Sequence, residues 1–190
     1  LVHLRQCEKE ARCPGKTGLP GIVKPATWTR MAEFSIALFD ALDALGWPRF
    51  TREWRGERAA IESFPTHAWR MLGEPPIPGK SKAGSLAHWH AALAARGVRG
   101  VPREATHDEL QAVVAGLAGL ALLAGGIERC DVRGGEPFLE GGHWREGVIV
   151  SARVTAPMDR RVRFNPLMLS GSPQADLRLR GAFWTVTPDP

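Results

Sequence analysis

Apolar residues at Met31, Phe34, Leu38, Leu42 and Leu45 recur at steps of three and four, which puts them on one side of an α-helix. Thr27 precedes them as a cap, and Gly46 with Pro48 stops the pattern, so a helix is predicted from about residue 27 to 45. From Leu110 to Ala124 the chain is almost free of charge, and Thr106-His107-Asp108-Glu109 before it has the spacing of a capping box. Gly125-Gly126 ends that segment. It is predicted to be the central packing helix, buried nearly all round, with Ala112, Ala115, Gly116, Ala118, Gly119 and Ala121 letting its backbone lie close to a sheet or helix. Shorter helices are predicted over Thr66 to Leu72 and over Ser85 to Arg96, the latter closed by Gly97.

Other stretches read as strands. Ala59 to Phe64 is a short buried strand stopped by Pro65, with Glu62 near its carboxyl end. Val148 to Val154 and Leu177 to Val186 are rich in β-branched and aromatic residues and are predicted to pair as a C-terminal β hairpin. Cys13 to Pro25 and the Pro-rich Gly73 to Gly84, which carries Lys80 and Lys82, are loops. The expected organisation is a domain over 1–142 with a C-terminal β extension over 143–190 packed on the same core.

Composition narrows the function classes. A chain of 190 residues can bury a sizeable core, and no uninterrupted apolar run approaches the roughly 20 residues that span a bilayer, so no membrane partner is expected. Cys7, Cys13 and Cys130 are an odd number without repeated spacing, which points to free thiols and a cytoplasmic setting. The formal charge of +5 admits an anionic polymer as partner, and Arg160, Arg161 and Arg163 concentrate part of it. Residues 88 and 90 point to different sides of a helix, so His88 and His90 are read as packing residues. No P-loop, dinucleotide fingerprint or Ser/His/Asp order is present.

Three motifs stand in order: Ile61-Glu62-Ser63-Phe64-Pro65-Thr66, Lys80-Ser81-Lys82, and His107-Asp108-Glu109-Leu110-Gln111-Ala112. Over roughly Arg5 to Gly126 they resemble the bacterial and archaeal domain-of-unknown-function family 429, regarded as predicted nucleases with a ribonuclease-H-like fold. The resemblance implies an α/β fold, a mixed sheet flanked by helices, with carboxylates converging on magnesium or manganese. Hard divalent ions favour carboxylate oxygens and activate water for phosphodiester cleavage. On that reading Glu62 and Asp108 are catalytic, Glu62, Asp108 and Glu109 hold metal on one side of the molecule, and Lys80, Lys82, Arg160, Arg161 and Arg163 contact nucleic acid.

Two departures stand beside it. The family's first strand, with its aspartate, has no counterpart, and the chain starts at Leu1, so the N-terminal strands are expected to be missing and self-association would follow. Gln111 stands where the family usually shows an aspartate. Asp108 and Glu109 would also favour a helix N-terminus with no metal bound. The sequence therefore carries two functional expectations: a metal-dependent nuclease, or a non-catalytic relative used for nucleic-acid binding or assembly.

Overall fold

A computed structural model describes residues 5–13, 26–56, 58–140, 143–153, 163–165 and 183–185. Among the described residues five helices come first: α1 (Gln6–Glu10), α2 (Ala26–Ala44), α3 (Pro65–Met71), α4 (Ala87–Ala95) and α5 (His107–Gly125). A 3₁₀ turn (Gly126–Arg129) leads into strands β1 (Cys130–Glu140) and β2 (His143–Ala152), and then β3 (Arg163–Asn165) and β4 (Phe183–Thr185). The fold is mixed α/β.

Local signals account for the helices. The Glu109 backbone N–H donates to the Thr106 hydroxyl, and the Glu109 carboxylate accepts from the Thr106 N–H at 2.7 Å, completing the capping box that starts α5. Pro65 occupies the first turn of α3, where its missing N–H costs nothing. At Gly46, which follows α2, φ is +82°, a conformation that side chains resist.

β1 and β2 pair antiparallel, from Cys130 opposite Ala152 to Glu140 opposite His143, with a register irregularity between Gly135 and Phe138. Period-two alternation sorts the hairpin's two faces. Cys130, Val148, Val150 and Ala152 point into the main core with Leu110, Val113, Val114 and Leu117 of α5, Trp69 of α3 and Leu93 of α4. Ile149 points the other way and packs with Cys7, Ala11 and Cys13, so α1 lies on the opposite face from α5. The predicted packing helix is thus the main support of the sheet, although Leu123 near its end is exposed. The strand predicted over 59–64 shrinks to two isolated parallel bridges, Arg49 with Ala60 and Glu62 with Ile149, and the Val150 N–H donates to the Glu62 carbonyl at 2.8 Å. Along β1, the Arg52 side chain donates to the carbonyls of Val132 and Gly134.

The predicted C-terminal hairpin is corrected. Residues 148–152 belong to β2, whose partner is β1, and the described part of the 177–186 segment, β4, pairs with β3. β1 escapes a pattern-based reading because Gly134-Gly135 and Glu136-Pro137 carry turn-forming residues. A division at 142/143 falls between two strands that pair with each other.

Candidate functional site

The face of the hairpin under α1 gathers the charged groups. Glu62 pairs in register with Ile149 and so shares its side of the sheet. Arg5, just ahead of α1, clamps both oxygens of Glu62: Nη1 donates to Oε2 at 2.8 Å and Nη2 to Oε1. The same guanidinium lies 3.4 Å from Glu8, whose other oxygen accepts from the Arg5 N–H at 3.1 Å. Burial would lower the Arg5 pKa, but the Glu62 hydrogen bond and the charges around it outweigh that and hold it above its ordinary value. Glu8 is almost wholly buried, and desolvation raises its pKa despite Arg5.

Beside this lies a second cluster built on β1. The Asp131 carboxylate accepts from His67 Nε2 at 2.9 Å, from Arg133 Nε at 2.5 Å and Nη2 at 3.0 Å, and from Arg153 at 3.4 Å. Desolvation would raise the Asp131 pKa, but the bonds from Arg133 and His67 prevail and hold it below the usual carboxylate range. An ionised carboxylate only accepts, so Nε2 of His67 carries the shared proton. The His67 and Asp131 side chains are 5% and 4% exposed, out of reach of a substrate. Ser151, opposite Asp131 in the register, does not complete a triad, since its hydroxyl has no hydrogen-bond partner among the described residues. The cluster is an ion network that ties α3 to the hairpin.

The residues expected to share a metal are not brought together. Ile61, next to Glu62, reaches the α5 backbone at Gly119, where an added Cβ would lie 4.0 Å from its Cδ1. Asp108 is eleven residues back along α5, about 16 Å at 1.5 Å per residue. It is also on the far face of the hairpin from Glu62, exposed, and paired with Lys80 at 2.6 Å and His107 at 3.1 Å. The bonds from Lys80 and then His107 hold its pKa below its ordinary value. Glu109 is spent on the cap of α5, and its pKa is lowered first by the Thr106 backbone bond and then by the hydroxyl. Gln111 accepts from the buried Trp69 indole at 3.0 Å. As arranged, these residues do not fit a divalent-metal site, and no group of three or more His, Cys, Asp or Glu able to hold one occurs among the described residues.

Of the expected nucleic-acid contacts, Lys80 is taken by Asp108, Lys82 is exposed, Arg163 opens β3, and Arg160 and Arg161 lie outside the described residues. Sequence reading missed Arg5, His67 and Asp131. Two local signals were present: the alternation Asp131-x-Arg133, which puts two opposite charges on the same side of a strand, and the three-residue spacing of Arg5 and Glu8 at the start of α1. Comparison with protein-family models, with curated proteins and with solved structures finds no match to this chain.

Proposed function

We propose that this chain is a ribonuclease-H-like protein that binds nucleic acid and does not itself hydrolyse it. The observation that carries the second half is the clamp of Arg5 on both oxygens of Glu62. A carboxylate whose charge is met inside the chain is a poor ligand for a second cation, and Asp108 is too distant to assist. Gln111, neutral and engaged by Trp69, adds no anionic oxygen. Binding is supported by the net charge of +5 and by exposed Lys82, Arg99 and Arg103, which form no ion pair with the described residues.

Incubation of the 190-residue chain with labelled single-stranded and duplex DNA and RNA tests this, in magnesium or manganese and in EDTA. Binding is expected to persist in EDTA, to weaken with rising salt as counterion release requires, and to leave the strands intact. Metal-dependent cleavage that disappears in Glu62→Gln would overturn the proposal in favour of the nuclease.

A further inference from the structure

Resting on the nucleic-acid reading, a contact surface follows from the segment that joins α2 to the bridge at Ala60. Arg49, Arg52, Arg55 and Arg58 recur at every third residue, interleaved with Trp47, Phe50 and Trp54, and against Glu53 and Glu57 they leave the segment at +2. Part of this set only builds the loop. Phe50 is buried in the main core, its ring 5.8 Å from that of Trp54, and the Trp54 indole donates to the Arg58 carbonyl at 3.1 Å. Arg49 is bound to Asp40, and Arg52 to the β1 carbonyls.

What remains faces outward. Trp47 is 43% exposed, and the Arg58 guanidinium sits 5.6 Å from its ring centre. Arg55 donates to the carbonyls of Arg52 and Trp54, and neither Arg55 nor Arg58 meets a carboxylate among the described residues. A half-exposed indole with the Arg58 guanidinium by its ring and exposed Arg55 in the same segment, neither arginine meeting a carboxylate among the described residues, suits an unpaired base that stacks while its phosphates are neutralised. A duplex keeps its bases inside and would engage the arginines alone. We infer that Trp47, Arg55 and Arg58 bind single-stranded nucleic acid, with Trp47 stacking a base and Arg55 and Arg58 contacting the flanking phosphates.

Fluorescence anisotropy of the full chain with an oligo-dT and with a duplex of equal length tests this. Trp47→Ala is expected to weaken oligo-dT binding about tenfold with little effect on the duplex, while Trp47→Phe retains it. Arg55→Ala with Arg58→Ala is expected to flatten the slope of log affinity against log salt by roughly 1.4, two phosphate contacts at about 0.7 each. If the wild-type chain binds and these variants bind equally well, the surface assignment falls and the nucleic-acid reading stands. If the wild-type chain binds neither ligand, both fall. Equal loss on duplex and single strand in Trp47→Ala overturns the single-strand preference. So does an acidic peptide that binds through Arg55 and Arg58 more tightly than oligo-dT. Should Trp47→Ala unfold by circular dichroism, the variant at exposed Arg55 and Arg58 decides the assignment.

Discussion

At Glu62 the choice between ion pair and metal ligand turns on Arg5. The two residues are 57 positions apart, so no local pattern announces the pair, and a reading of Ala59 to Phe64 alone leaves Glu62 without a counter-ion. An acid without a counter-ion on an apolar strand invites a cation, and the chain supplies its own. Because both groups are mostly covered, removing one leaves the other poorly paired. Glu62→Gln is expected to destabilise the fold by about 1.5–3 kcal/mol, the range for hydrogen bonds to charged groups. Arg5→Met should cost a similar amount, and the double variant less than the sum, since each change removes the same interaction. Urea unfolding of the four proteins in EDTA measures this. Additive losses would show that the pair is not coupled.

Helix positions were largely legible: α5 begins at its predicted capping box, and α2 and α4 end ahead of Gly46 and Gly97, although Thr27, read as the cap of α2, lies inside that helix and α3 and α4 start without a side-chain cap. Strand pairing was not, since partner choice depends on what the turns permit. Gly134 and Gly135 look like a loop in the sequence yet lie within β1, and Gly134 is there for a specific reason. Its φ is +101°, and a Cβ on it would stand 2.3 Å from the Cys7 Cβ and 2.5 Å from the Gly147 carbonyl oxygen. The missing side chain is what lets α1 dock. Further ties hold that helix: Glu146 accepts from the N–H of Gln6 at 2.6 Å, Glu10 accepts from the Gly134 N–H at 2.8 Å, and Arg70 donates to the Arg12 carbonyl at 2.7 Å. Gly134→Ala is therefore expected to displace α1 and to lower stability by about 1–3 kcal/mol or more, combining overpacking with a strained backbone. Hydrogen exchange should then rise at Gln6–Glu10 while α5 stays protected. Unchanged protection of α1 would mean that the helix is held without this close approach.

Across the whole molecule the charge distribution sets the range of pH in which the fold persists. Asp131, Glu10, Asp108 and Glu109 have pKa values below their ordinary ones, so the unfolded chain binds more protons as pH falls below about 4 and stability is lost there. Glu8, raised by burial, works against that loss. At the other end, burial pushes the Cys7 and Cys13 thiols up to about 12 and Cys130 to about 11. They stay protonated in the fold while unfolded thiols ionise above about 8.5, so stability falls as pH rises past that point. Thermal midpoints are expected to be flat from about pH 5 to 8 and to drop on both sides. Replacing Cys7 and Cys13 by Ala should soften the alkaline fall, and an unchanged fall would assign it elsewhere. Free thiols were legible from their number and spacing, whereas their burial required the hairpin that the sequence concealed. The Arg52 side chain on the carbonyls of Val132 and Gly134 has a last consequence. Among the described residues β1 pairs only with β2, and its outer side would offer a template for strands of neighbouring chains. A guanidinium laid along that side, followed by the register break before Phe138, makes strand-to-strand accretion between molecules start against an occupied margin.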